Sequence, residues 1–205
     1  MNVITAVNCA DAECFSKRLT TAHEFLSAGS WLHIDVSEKD VALSRSFVDK
    51  RVLEQHKDYF QFETHLMVAD SRLTQFLDLP AQRFLIHWSQ DPLVEEKIRR
   101  LGKEIGLVVH CGEDSKIVHL PRDAKYIEVL AVPPGPSGSS FRKEALEFVV
   151  FLRKTNPSAT ITVDGGITPD TARLCREAGA DAVISSSYIW NSSDPSRAYR
   201  ELSGI

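Results

Sequence analysis

Eight short apolar runs rich in β-branched residues alternate with longer segments of helical period from one end of the chain to the other. This alternation constrains the fold more than any other feature of the sequence. The runs are VITAV from Val3, WLHIDV from Trp31, FETHLMV from Phe62, RFLIHW from Arg83, IGLVVH from Ile105, YIEVLAV from Tyr126, ATITVDG from Ala159 and DAVISS from Asp181. Between them, AECFSKRLTTAHEFLSAG, DPLVEEKIRRLG, FRKEALEFVVFLRKT and TPDTARLCREAGA space their apolar residues three and four apart, as amphipathic helices do. Ser140 ahead of a helix from Phe141, and Thr168 ahead of Pro169, read as N-caps, while Gly179 closes a last turn before a strand. Eight β/α units in 205 residues, with no Pro/Gly/Ser linker to divide them, predict an α/β protein: one closed (β/α)8 TIM barrel forming a single domain over 1–205. A doubly wound open sheet is the competing arrangement, because periodicity does not register closure.

Composition narrows the function classes. With 43% hydrophobic and 25% charged residues the chain has material for a core, and it contains no apolar run of about 18 residues that could span a membrane. A net charge of −4 provides no basic field for a polyanion, which argues against nucleic acid as a partner. A small phosphorylated ligand is still compatible, since a few backbone N–H groups can hold a phosphate. The start, MNVITAVNCADAECF, lacks the charged and apolar regions of a signal peptide, so a cytoplasmic location is expected by default. Cys9, Cys14, Cys111 and Cys175 form no CxxC pair and are expected to be free thiols, with Cys175 packed in a helix rather than nucleophilic.

In a parallel barrel the reactive groups project from the C-terminal ends of the strands. His33 and Asp35 alternate with Leu32, Ile34 and Val36 and so share one face of the second strand. His65 lies near the end of the third strand and Asp164 ends the seventh, so two imidazoles and two carboxylates converge on one mouth. Nitrogen and oxygen donors without thiolates suit a divalent ion such as Zn2+, Fe2+, Mn2+ or Co2+. Gly165 and Gly166 after the seventh strand, and Ser185, Ser186 and Ser187 after the eighth, lie in the two loops where barrels frequently bind phosphate, although the glycines could equally serve a tight turn. VPPGPSGSS from Val132 reads as a loop over the mouth. His87 and His110 end strands and read as ordinary barrel residues, while His23, His56 and His119 fall in helical stretches and read as surface residues.

Taken in order, LHIDV, THLMV, the Gly-rich loop after the sixth strand, TVDGG and ISSSYIW make the chain resemble the ribulose-phosphate 3-epimerase family over nearly its whole length. The resemblance implies a barrel of the ribulose-phosphate-binding type in which His33, Asp35, His65 and Asp164 bind one divalent metal ion. It also makes Asp35 and Asp164 the acid/base pair: one removes the proton from carbon 3 of a ketose phosphate, the metal stabilises the enediolate, and the other returns a proton to the opposite face. The default substrate pair is D-ribulose 5-phosphate and D-xylulose 5-phosphate, in pentose phosphate metabolism. Met67, Gly135, Gly138, Gly165, Gly166, Ser186 and Ser187 fall where the family contacts the sugar phosphate, and a homo-oligomer is implied.

The sequence also departs from the family. TAVNCAD stands for PSILSAD, putting Ala6 at a substrate-facing serine and Cys9 at a second one. Ser37, Glu38 and Lys39 replace Met-Asp-Gly, VPPGPSGSS replaces VNPGFGGQ, Ser186 replaces a glycine, and Leu130 replaces a methionine over the metal site. These changes keep two alternatives open: an epimerase for another sugar phosphate, such as a ketohexose 6-phosphate, and a non-catalytic barrel that binds a sugar phosphate or a protein partner.

Overall fold

A computed structural model of the protein describes residues 1–88, 92–110, 120–134 and 138–205. Its eight strands are β1 (Asn2–Val7), β2 (Trp31–Ser37), β3 (Gln61–Met67), β4 (Arg83–His87), β5 (Glu104–His110), β6 (Tyr126–Leu130), β7 (Thr160–Asp164) and β8 (Ala182–Ser185). Every neighbouring pair is parallel, and β1 pairs with β8 through Asn2↔Ala182 to Thr5↔Ser185, so the sheet closes on itself. That closure excludes the open sheet.

Strand alternation divides the apolar residues into separate layers. Leu32, Ile34, Phe62, Leu66, Phe84, Ile127, Val129, Ile161 and Val163 point outward and pack in one cluster with helix residues such as Phe15, Leu19, Val149 and Leu152. Inside the barrel are two small apolar clusters, Ile4, Ala6, Ala182 and Ile184, and Leu85, Val108, Tyr126, Leu130 and Val132. Polar residues occupy much of the remaining interior: His33, Glu63, His65, Glu128 and Thr162 are all buried.

Two of the three expected helix signals are present. Thr168 caps the helix Pro169–Ala178 in a reciprocal capping box with Thr171, and Gly179 ends it at φ +106°. Ser140 is not a cap. The helix there is Glu144–Thr155, with Lys143 at its N-cap position and no side-chain capping bond. Arg142 is held instead to the segment just past β6, its N–H donating to Ala131 O at 3.0 Å.

The expectation of free thiols is corrected for one pair: Cys9 and Cys14 form a disulfide. The chain turns sharply between β1 and the helix Ala12–Ala22, and Asp11 caps that helix by accepting from the Cys14 N–H at 2.8 Å. This turn folds Cys14 back toward Cys9, to a Cα–Cα distance of 5.7 Å. Cys175 is free and buried, as expected. Cys111 and His119 lie outside the described residues. Among the described residues no helix is long and apolar enough to cross a membrane.

Candidate active site

Strand register sets the site. Asp35 pairs with His65 across β2 and β3, His33 pairs with Glu63, and Asp164 ends β7 beside Leu130. One donor atom from each of His33, Asp35, His65 and Asp164 lies within 4.8 Å of the others. The four residues singled out in the sequence are therefore brought together as a cluster that could hold a metal ion.

Asp35 and Asp164 also line a cleft at the mouth with Asn8, Met67, Leu130, Val132, Gly138, Gly165, Gly166, Ser186 and Ser187. Thus Met67, Gly138, both paired glycines and both serines share one cleft with the carboxylates. Gly135 lies outside the described residues. Gly165 and Gly166 have φ of +98° and +65°, and a Cβ on Gly166 would stand 2.5 Å from the Phe141 backbone nitrogen. The pair is needed for the turn itself, whatever else it contacts. Ser37 turns its hydroxyl to Ser44 O at 2.9 Å and so ties down the loop after β2. Ala6 packs in the apolar cluster with Ile4 and Ile184.

Each site group is shaped by its neighbours. His33 is fully buried, and its Nε2 lies 3.2 Å from Asp35 Oδ1 while Nδ1 lies 2.9 Å from Glu63 Oε1. Burial acts to lower its pKa, but the hydrogen bonds to Asp35 and Glu63 prevail and hold it well above the usual value. His65 is the opposite case: burial first, then the nearby His87 and His33, hold it well below the usual value, so its ring is neutral. Burial raises Asp164 to about 7, with Asp35 adding to the rise and His33 and the Gly165 N–H opposing it. Asp35 accepts from Asn8 Nδ2 at 2.9 Å through its second oxygen.

The donor set fits a divalent cation. His65 Nδ1 is fully buried, 3.2 Å from Glu128 Oε1 and 3.7 Å from Asp35 Oδ1, and the second oxygen of fully buried Glu128 lacks a hydrogen bond. Several buried carboxyl groups gathered around a neutral imidazole are costly for a protein alone. A bound cation would offset that cost.

Against known proteins, a model of the Ribulose-phosphate 3 epimerase family matches residues 4–190. The chain belongs to this family. The family places the chain among isomerases that act on carbohydrates. Ribulose-phosphate 3-epimerase of Schizosaccharomyces pombe is 31% identical, over 80% of this chain and 77% of that protein. Its counterpart from Helicobacter pylori is 28% identical, over 100% of this chain and 98% of its own. Among solved structures, 3-hexulose-6-phosphate synthase from Salmonella typhimurium superposes with a TM-score of 0.72 at 19% identity, covering 100% of this chain and 97% of that one. At that identity the likeness is one of fold.

Several residues at the site escaped the sequence reading. Glu63 and Glu128 lie beneath the histidines, Glu128 Oε1 being 3.2 Å from His65 Nδ1, and Asn8 stands just past β1. Glu63 was findable, because it alternates with His65 in FETHLM as His33 alternates with Asp35. His87, read as an ordinary barrel residue, brings its Nε2 to 3.1 Å from His65 Nε2.

These shifts predict a pH dependence for the metal-free protein. Asp164, Glu128 (raised chiefly by burial) and His33 all hold protons more tightly folded than unfolded. The stability they lend is present at low pH and lost as pH rises through the folded values, about 7 for Asp164. His65 is shifted the other way, but it opposes this trend only below about pH 6.5, where its unfolded form takes up a proton. As pH rises above about 6.5, through about 7 where Asp164 gives up its proton, the melting temperature of chelator-treated protein is expected to fall, and added divalent metal to reverse the fall. A flat or rising melting temperature without metal would contradict this assignment.

Proposed function

We propose that the protein is a metal-dependent epimerase that inverts carbon 3 of a ketose phosphate, interconverting D-ribulose 5-phosphate and D-xylulose 5-phosphate. The observation that carries this reading is the meeting of two carboxylates from β2 and β7 with two imidazoles at one cleft in a member of this family. Inversion needs a proton removed from one face and one delivered to the other, which a single carboxylate on one face does not do. Asp35 and Asp164 reach the cleft from strands separated by β8 and β1, and so suit the two roles.

His33, Asp35, His65 and Asp164 would hold the ion. When bound, a divalent ion such as Zn2+, Fe2+, Mn2+ or Co2+ offsets the negative charge that proton removal leaves on the substrate oxygens. Asp35 and Asp164 take and return the proton. Asn8, by donating to one oxygen of Asp35, leaves the other directed toward His33. Met67 and Leu130 give the cleft apolar walls, while Gly138, Gly165, Gly166, Ser186 and Ser187 offer N–H and hydroxyl donors for the phosphate. One domain over 1–205, a cytoplasmic setting and assembly as a homo-oligomer complete the proposal.

The test is an NMR assay of product formation by metal-supplemented protein, offered D-ribulose 5-phosphate and a panel of ketohexose 6-phosphates. D-xylulose 5-phosphate is the expected product. Turnover of a hexose phosphate alone would move the substrate, and no turnover at all would favour a binding protein. His65→Ala is expected to lower metal content at least tenfold, roughly the scale on which altered metal-site shells act. Unchanged content, measured by elemental analysis, would remove His65 from the ligand set.

A further inference from the structure

A chain of buried polar contacts runs from the lower end of the barrel up to His33. At its base Arg83 is stacked between two aromatic rings, its guanidinium carbon 4.3 Å from the Trp31 centroid and 3.8 Å from that of Tyr126. Arg83 donates to Glu104 Oε2 at 3.0 and 2.7 Å and to Glu63 Oε2 at 2.9 Å. The Tyr126 hydroxyl donates to the same Glu63 oxygen at 3.0 Å. Glu63 Oε1 is thereby left for His33 Nδ1, at 2.9 Å. Glu63 has no solvent exposure, so these contacts account for its setting.

We propose that Glu63 is a positioning residue for metal binding: it fixes the His33 ring through Nδ1 so that Nε2 faces Asp35, His65 and Asp164, and Arg83 and Tyr126 fix Glu63 in turn. The inference rests on the reading of His33 as a metal ligand. A carboxylate only accepts hydrogen bonds, so the nitrogen that faces it carries the proton and the other nitrogen presents its lone pair to the ion. A carboxylate behind a ligating histidine orients the ring and increases its basicity. Glu128 does not do this for His33: its nearer oxygen is 4.0 Å from Nδ1, beyond hydrogen-bond distance.

The test uses Co2+ and the full chain, reading affinity by competition with a chelator and ligand geometry from the visible absorption bands of the bound ion. Glu63→Leu is expected to weaken Co2+ binding by about 10- to 100-fold and to shift the bands. Glu63→Gln, whose amide oxygen still accepts from Nδ1, is expected to fall between Glu63→Leu and wild type in both readouts. Wild-type affinity and bands in Glu63→Leu would overturn the proposal. If that variant does not fold, wild-type affinity and bands in Glu63→Gln would overturn it equally. Wild-type protein that takes up no Co2+ would overturn the metal reading and the relay together, an outcome distinct from binding that is indifferent to Glu63.

Discussion

Replacing Asp35 or Asp164 with asparagine is expected to abolish epimerisation, each change lowering turnover by more than about 10⁴-fold. Loss of a general base alone costs about 10²- to 10⁴-fold, and each substitution also removes a carboxylate from the cluster that would hold the ion. The two variants should differ in what survives. If each carboxylate serves one face, a variant that still binds metal is limited to proton exchange on the intact side, and exchange from each epimer then reports which side is lost. Asparagine is close in size to aspartate, so both variants should fold, with melting temperatures measured alongside turnover. Turnover near wild type in either one would remove that carboxylate from the mechanism.

The second large effect is on stability. Arg83→Met is expected to destabilise the protein by about 3 kcal/mol, because removing one partner of a buried ion pair leaves the other charge without its counter-ion. Glu63 is the residue left behind: it is fully buried, and only His33 and Tyr126 would remain to hold it. The loss of two cation–π contacts acts in the same direction. Glu104→Gln is the contrasting case. Glu104 is 64% exposed, so its ion pair with Arg83 is screened and its removal should cost less than about 1 kcal/mol. Urea unfolding of both variants checks the comparison, and equal midpoints would show that Arg83 is not the support of Glu63.

What could be read in the sequence, and what could not, follows from the range of the interactions involved. All eight strands lie where their apolar runs fall, with small shifts at the ends: β1 begins at Asn2 rather than Val3, and β8 at Ala182 rather than Asp181. Period-two alternation and turn residues are local, and so visible. Barrel closure depends on β1 meeting β8, a pairing of opposite ends of the chain that periodicity does not encode. The helix expected from Phe141 begins three residues later because Arg142 bonds to Ala131, a contact outside the local pattern. The Cys9–Cys14 disulfide likewise depends on the turn between β1 and its helix.

The same distinction applies at the site. His33, Asp35, His65 and Asp164 were legible because they are polar residues near the C-terminal ends of apolar strands, where a parallel barrel opens. Glu63 and Glu128 sit lower in their strands, and only the assembled interior shows them gathered beneath the histidines. Asn8 stands in a loop where no periodicity applies, and its role at Asp35 comes from a contact 27 residues along the chain. The candidate metal cluster was thus visible one strand at a time, while its supports needed register and closure.

Deuterium incorporation at carbon 3, followed by NMR in deuterium oxide, tests the central claim most directly. Metal-supplemented protein incubated with D-ribulose 5-phosphate is expected to place deuterium at carbon 3 and to form D-xylulose 5-phosphate at the same time, with no D-xylulose 5-phosphate formed by Asp35→Asn or Asp164→Asn. Wild-type protein with verified metal content that leaves the carbon 3 proton in place would contradict the account.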